Sequence, residues 1–559
     1  RNVCQPDTGS WSIMAELDRL VQFGYRTAEL QKANLIGEIP PTADSLKIKV
    51  RKNGHDPQRR FPAAVSTGIH VRGVVLPRPD LVDPGTVVHG IQKRFGHKPP
   101  DVDPDLFEEL LDYTRKYVRR FVPIQADSDF DLETWLATTN YPEWRKVELR
   151  QAHSAALDLL STKGGMKQIR RVGSFGKAET YPVFKYLRPI NARSDEFKTL
   201  VGPAFRLIEK VVFSDPSFIK KVPRAEWPTF IQDHINSSYF IYTSDYSSFE
   251  ALFEELMDVE LILYEWMLQY HPDKIKFVRM IDDENHCYFK HVIAQVWRKR
   301  MSGEMNTSLG NGFTAHIVAK FVVHKLFGKD CIILQEGDDT VFASPGELDA
   351  SLFTRLGLEI KLERVTDITR AQFCQLIFDD QELSVVRDPI PYIVGFGWID
   401  GKYAGTRKYD DLLLRARAMS CLAQYPGHPV LQSFAQWIMR ATRSTATQIT
   451  RHYERDRSVD SYHREVILSA VADQGVFRNT PVGAGSRRLV EEQFGVEVID
   501  QLMIESYFNK LGDKLQPIDF DVVAKWVHPD WLICEAAYVR LVDVRVPTWM
   551  FANVGPTAS

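Results

Sequence analysis

Two short apolar runs near the middle of the chain, Cys331-Ile332-Ile333-Leu334 and Val341-Phe342-Ala343, flank the segment Glu336-Gly337-Asp338-Asp339-Thr340. Apolar, β-branched-rich pieces around a Gly-Asp-Asp pivot predict a β-hairpin, with Gly337 supplying the tight backbone and both aspartates at the tip. Few local patterns constrain a fold so strongly, because this one forces two carboxylates together. Like charges at that spacing repel unless a divalent cation neutralises them, so the pivot suggests a metal site. The tripeptide alone reads better as an acidic turn in solvent. Its meaning rests on its neighbours.

Upstream, Tyr239-Phe240-Ile241-Tyr242 reads as a strand running into Asp245-Tyr246-Ser247-Ser248-Phe249-Glu250. A helix follows, with apolar residues at Phe249, Leu252, Phe253, Leu256, Leu263 and Met267, close to the 3.6-residue period. Asp245 therefore falls at the end of a buried strand, where a lone aspartate would ordinarily cap the helix. A third segment, Arg300-Met301-Ser302-Gly303-Glu304-Met305-Asn306-Thr307-Ser308-Leu309-Gly310-Asn311, places Gly303, Thr307 and Asn311 four residues apart. The Ser-Gly turn is expected to open a helix on which these three share one face, a small and polar stripe that a core helix would fill with Leu or Val.

The series Asp245…Glu250, Ser302-Gly303-x3-Thr307-x3-Asn311 and Gly337-Asp338-Asp339 resembles motifs A, B and C of viral RNA-dependent RNA polymerases, in unpermuted order. The wording around Arg300–Asn311 is most similar to positive-strand RNA viruses of the tombusvirus-like and flavivirus-like groups. Leu356–Lys361 looks like motif D, Gln372–Gln375 like motif E, Lys185–Ile190 with Arg193 like motif F, and Ser161–Gly164 like motif G. The resemblance covers roughly residues 160 to 380. One position departs from it: the second acid of motif A is usually Asp, and here it is Glu250, one methylene longer.

The resemblance implies an α+β right-hand polymerase, with an antiparallel palm sheet backed by helices and a mostly helical thumb. It divides the chain into an N-terminal extension (1–100), fingers (101–235), palm (236–270), a fingers insertion (271–299), palm (300–395) and thumb (396–559). It also implies template-directed RNA synthesis from ribonucleoside triphosphates. Two Mg²⁺ ions, with Mn²⁺ able to substitute, would lie ~3.5–4 Å apart on Asp245, Asp338 and Asp339. Lys185, Arg188 and Arg193 would grip the triphosphate. Glu250, Ser302, Gly303, Thr307 and Asn311 would read the nucleotide, and Lys361 would act as a general acid. Expected partners are the RNA template and product strand and other viral replication proteins. The expected setting is the host cytoplasm, at membrane-associated replication complexes.

Composition agrees with a large enzyme and excludes simpler classes. A chain of 559 residues suffices for several units with a substantial core. No uncharged run reaches the ~18 residues that span a bilayer, and no signal peptide is visible. The sequence opens on Arg1, as a piece cut from a longer product would. The six cysteines (Cys4, Cys287, Cys331, Cys374, Cys421, Cys534) are scattered without zinc spacing, which points to reduced thiols. A net charge of −3 argues against a basic RNA coat. Local charge is more telling: from Lys163 to Arg193 eight basic residues and one acid, Glu179, alternate with Phe175, Tyr181, Phe184 and Tyr186. Such a strip suits triphosphate and RNA backbones.

The first 100 residues read as irregular and proline-broken, wrapping the body. Leu106–Val122 reads as a helix introduced by Asp103-Pro104-Asp105. Further helices are predicted over 409–425, 430–453 and 460–473, with a loop at 479–485. A reverse transcriptase or DNA polymerase shares the carboxylates but generally needs bulk against the 2′ position, where Glu250 and Asn311 offer hydrogen-bond partners. An inactive RNA-binding palm need not keep every metal ligand. A phosphohydrolase accounts for the aspartates but not for the Ser-Gly turn, Asn311 or the basic strip.

Overall fold

The computed structural model describes residues 46–50, 64–74, 76, 81, 84–177, 179, 186–222, 226–235, 239–400, 409–456, 459, 461–473, 480–528 and 531. In chain order its strands begin with β1 (Lys47–Val50), β2 (Ala64–Ser66), β3 (Val172–Gly176), β4 (Pro189–Arg193), β5 (Phe240–Tyr246), β6 (Glu284–Tyr288) and β7 (Val292–Trp297). They continue with β8 (Ile332–Glu336), β9 (Asp339–Ser344), β10 (Ile360–Val365), β11 (Ile377–Asp379), β12 (Ser384–Val386) and β13 (Trp398–Asp400).

The central element is an antiparallel sheet in the order β10-β5-β9-β8. Its residues alternate between two cores, as the two-residue period of a strand requires. Tyr242, Ile333 and Phe342 face one core, built with the helices Phe253–Met267 and Thr307–Phe327. Ile241, Leu334, Val341 and Ala343 face the other, which contains Trp227, Phe373 and Leu414. A sheet covered on both faces leaves only its strand ends and loops for polar chemistry. That is where the aspartates are.

A second sheet, ordered β1-β7-β6-β3-β4, is antiparallel except for the β3–β6 pair. The described residues among the first 100 are more regular than the prolines suggest. β1 joins this second sheet, β2 pairs with β13, and a helix runs over Pro84–Phe95. Pro84 stands at the first helical position, where its missing N–H costs nothing. The helix Pro104–Tyr117 starts as expected, with the Asp103 carboxylate accepting from the backbone N–H groups of Asp105 and Leu106.

Two sequence expectations need correcting. The stretch expected as one helix over 430–453 is two, Leu431–Ala441 and Ala446–Arg455. A capping box at Thr445 and Gln448 starts the second, and Arg415 bonds the Thr442 carbonyl in the break. Gly303 also lies outside the helix it was expected to share with Thr307 and Asn311, which begins only at Thr307. The Gly303 N–H is taken by the Asn191 carbonyl of β4, so the chain there packs against a strand and cannot coil.

That turn is anchored by a buried charge cluster. Arg300 and Glu260 form an ion pair with both side chains wholly buried. Glu260 Oε1 also accepts from the Tyr264 hydroxyl at 2.5 Å and from Asn306 Nδ2 at 2.6 Å. The Arg300 guanidinium lies 4.3 Å from the centroid of the Phe253 ring. Burial lowers its pKa to about 10, so it remains charged at neutral pH. Gly310 runs directly past the pair. A Cβ there would stand 2.4 Å from Glu260 Oε1 and 2.5 Å from Arg300 Nη2. An exposed helical Gly→Ala change gains up to about 1 kcal/mol. Disrupting a buried ion pair costs about 3–5 kcal/mol, which outweighs that gain. Gly310→Ala should therefore destabilise the protein by at least about 2 kcal/mol in urea unfolding. A neutral or stabilising result would show that the pair shifts freely.

Candidate active site

The hairpin forms, with one adjustment. Glu336 pairs with Asp339, so the turn is Gly337-Asp338 and Asp339 is the first residue of β9 rather than part of the tip. Gly337 has φ +60° while Asp338 does not share the left-handed conformation. A first turn residue at positive φ favours glycine. Beneath the turn the buried Gln335 amide donates to the Gly337 carbonyl at 2.8 Å, the Asp339 carbonyl at 3.1 Å and Thr340 Oγ1 at 2.7 Å. The turn is thus held from inside.

Asp245 is the penultimate residue of β5. Ser244 pairs with Thr340 of β9, so the next step along the two strands sets Asp245 against Asp339. On its other side Asp245 pairs with Lys361 of β10. Opposed residues in an antiparallel ladder project to the same face, which places a lysine beside the carboxylate. Lys361 is mostly exposed, and its Nζ lies 3.1 Å from Glu363.

Asp245, Asp338 and Asp339 are all exposed. The protein packed around them nonetheless limits the water available to their charges. This partial desolvation pushes the Asp339 carboxyl up to about 7, with repulsion from Asp338 and Asp245 adding to it. Desolvation also raises Asp338, reinforced by Glu250 and opposed by Arg188 and Arg94. The three aspartates are therefore an electrostatically unfavourable set as they stand. Among the described residues no three His, Cys, Asp or Glu groups already converge tightly enough to hold a metal ion.

The remaining expected site residues fall into separate groups. Arg188 is half-buried, 3.3 Å from Glu179, and close enough to Asp338 to stabilise its charge. Lys185 lies outside the described residues. Arg193 is buried, and its guanidinium is taken up by Glu304 and by Asn285 at 2.7 Å. Ser302 Oγ donates to the Pro189 carbonyl at 2.9 Å, and Thr307 Oγ1 donates to the carbonyls of Met301 and Glu304. These contacts, with that of Gly303, fasten the turn to β4. Asn311 is buried with its Oδ1 accepting from Arg300 Nε at 3.0 Å. Gly312, next to it, brings the helix under the hairpin: a Cβ there would lie 3.4 Å from the Gly337 carbonyl.

Sequence reading missed three participants. Arg94 approaches Glu250 to 3.4 Å. Lys220 bridges Glu336 at 2.7 Å and Ser308 Oγ at 3.1 Å, tying the hairpin to the helix. Arg300 donates its backbone N–H to the Glu250 carbonyl at 3.2 Å, linking the second acid to the buried cluster. No local signal distinguishes Arg94 or Lys220 from surface cations. The spacing of Arg300 from Glu260 is likewise visible only in three dimensions.

Comparison with known proteins bears on this arrangement. Residues 289–516 match the family model described as viral RNA dependent RNA polymerase. A protein named RNA-directed RNA polymerase from Panicum mosaic virus is 34% identical over 115 residues, 19% of this chain and 11% of that protein. One from Turnip crinkle virus is 27% identical over 223 residues, 38% of this chain and 27% of that protein. One from Oat chlorotic stunt virus is 23% identical over 331 residues, 52% of this chain and 42% of that protein. The chain thus spans less than half the length of these curated relatives. The matched segment includes the Ser-Gly turn, the hairpin and Lys361, and over it this chain is similar to the viral RNA-dependent RNA polymerases.

Proposed function

We propose that this chain synthesises RNA on an RNA template from ribonucleoside triphosphates. In this reading the sheet β10-β5-β9-β8 is the palm, the β1-to-β4 sheet and its helices are fingers, and the C-terminal helices are a thumb. The observation that carries it is the gathering of Asp245, Asp338 and Asp339 at the strand ends of a sheet buried on both faces, with Arg188 and Arg94 nearby. The family match supports the same reading.

The donor set suits Mg²⁺ or Mn²⁺: three hard carboxylate oxygens whose mutual repulsion a divalent cation relieves. Asp245, Asp338 and Asp339 would hold two such ions, closing up as they bind. When bound, the ions supply a lower pKa for the attacking 3′-hydroxyl and neutralise charge on the departing pyrophosphate. The chain's own residues do the rest. Arg188 exchanges Glu179 for triphosphate oxygens, which its planar fork fits well. Lys361 holds a proton next to Asp245, where the leaving group can receive it. Because Asn311 Oδ1 is occupied by Arg300, its Nδ2 is the group that donates to a ribose hydroxyl. Glu250 accepts from the same sugar. Ser302, Gly303 and Thr307 shape the turn that presents them, and Arg193 supports it from the buried cluster.

The direct test is nucleotide incorporation on an RNA template, with ribo- and deoxyribonucleotides, with and without a primer. Ribonucleotide addition is expected. Asp338→Asn is nearly isosteric but removes a charge, and should lower addition by at least about a hundred-fold while RNA affinity stays within a few-fold. Activity close to wild type in Mg²⁺ would remove Asp338 from the metal-ligand set.

Glu250→Ala should reduce ribonucleotide efficiency more than deoxyribonucleotide efficiency, by about ten- to a hundred-fold, the scale of a lost hydrogen bond to a charged group. Equal losses for both sugars would make Glu250 a residue of local structure only.

A third expectation concerns pH. A carboxyl raised to about 7 in the folded state favours folding while protonated, and that contribution is lost as pH rises through 7. Metal-free protein should therefore melt lower at pH 8 than at pH 6, and Asp339→Asn should reduce the difference. Because the group is exposed, screening limits the effect to roughly 2 °C. Mg²⁺ should raise the melting temperature of wild type at pH 8 more than that of Asp339→Asn. Identical pH and Mg²⁺ responses in both proteins would contradict the charge repulsion read at this site.

A further inference from the structure

Glu250 is the position where this chain departs from the family pattern, and the structure shows what meets its extra methylene. Arg94, in the last turn of the helix Pro84–Phe95, brings Nη1 to 3.4 Å from Glu250 Oε1. The two side chains keep only 19% and 17% of their surface in solvent, so their attraction is screened less than that of a surface pair. Both partners are fixed from behind. Val87, Val88, Ile91 and Phe95 bury the helix in the core of the second sheet. Gly90 sits so close to Leu187 that an added Cβ would lie 2.5 Å from its carbonyl oxygen, which locks the helix to the segment carrying Arg188. On the other side the Glu250 carbonyl accepts from the Arg300 backbone.

The closest approach is to Oε1. Glu250 Oε2 has no hydrogen-bond partner among the described residues, and a carboxylate can accept on both oxygens at once. A glutamate has one more rotatable bond than an aspartate, and ordering it costs entropy that a fixed guanidinium removes beforehand. The arginine also offsets a fourth negative charge next to Asp245, Asp338 and Asp339. Without it, Glu250 would be repelled from the hairpin or would compete for the cations there.

We propose that Arg94 is a positioning residue for sugar recognition: it holds Glu250 by Oε1 so that Oε2 remains available to the 2′-hydroxyl of the incoming nucleotide. This inference rests on the polymerase reading above, in which Glu250 accepts from the ribose. It assigns a part of nucleotide selection to the N-terminal 100 residues, outside every motif and outside the segment matched by the family model.

The test compares kcat/KM for a matched ribo- and deoxyribonucleoside triphosphate on an RNA template-primer, using the full chain. The proteins are wild type, Arg94→Ala, Arg94→Lys, Glu250→Ala and the double variant Arg94→Ala with Glu250→Ala. Arg94→Ala should lower the ribose-to-deoxyribose ratio about ten-fold, the lower end expected for a hydrogen bond to a charged group. Arg94→Lys should retain most of the ratio, because a contact through one nitrogen does not use the planar fork. In the Glu250→Ala background, Arg94→Ala should change the ratio no further, since the two residues act as one unit. If Arg94→Ala does not fold, Arg94→Gln makes the same comparison with less change in volume. A wild-type protein that adds no ribonucleotide overturns the polymerase reading and this inference together. An active wild type whose ratio is unchanged in Arg94→Ala overturns the inference alone. So does a ratio that falls equally with and without Glu250, which would make Arg94 a phosphate contact.

Discussion

The ion pair between Arg300 and Glu260 is the interaction on which the site most depends. Both charges are wholly buried, and such a pair persists only when every remaining donor and acceptor is nearly satisfied. Tyr264, Asn306 and the Phe253 ring serve part of that need around it, although Arg300 Nη1 and Asn306 Oδ1 have no hydrogen-bond partner among the described residues, and Glu304 connects it to Arg193 of β4. Two arginines and two glutamates leave the cluster without net charge. Through it the helix after β5, the turn before the Thr307–Phe327 helix and the edge of the second sheet are held in one arrangement. Asn311 and the Glu250 backbone each bond Arg300 directly. The proposed sugar-reading groups therefore inherit their positions from the cluster.

Such a cluster contributes more to uniqueness than to net stability, because burying four charges consumes much of what their attraction returns. Its value lies in direction. Hydrophobic contacts tolerate small slides, whereas a guanidinium engaged by carboxylates and stacked on a ring does not. Gly310 shows how closely the backbone had to be fitted to it, since even a methyl group would intrude on both partners.

Much of this was legible in the sequence where the determining physics is local. The hairpin follows from two continuous apolar runs and from glycine at the turn, and Asp245 from a strand that meets a helix; neither needs a distant partner. The capping box that divides the two helices after residue 430 was also present, in Thr445 and Gln448, but the stretch reads as one helix across it. Arg193 illustrates the opposite case. An arginine in a cationic strip looks the same whether it awaits a phosphate or is already paired, and its partner Glu304 stands 111 residues later. Glu260 offered a weak sign, a charge between Val259 and Leu261 on a helix buried on most of its circumference. Gly303 was placed on a helix because its spacing fitted, and only the carbonyl of Asn191 shows why the helix starts later.

The pairing of the earliest strands has a consequence for the order in which this chain can fold. β1 lies against β7 and β2 against β13, and Thr67 donates through both its backbone and its hydroxyl to Gly397, 330 residues away. Contacts that distant close late and slow the search for the native state. On a ribosome the first strands emerge long before their partners exist, so β1 stays unpaired until β7 has been made and β2 until β13 has been made. Until then an unpaired strand edge is open to association with other chains, a hazard that grows with nascent-chain concentration. Slower synthesis or a chaperone that covers extended segments should therefore favour soluble protein, whereas fragments ending before residue 398 would retain β2 without its partner.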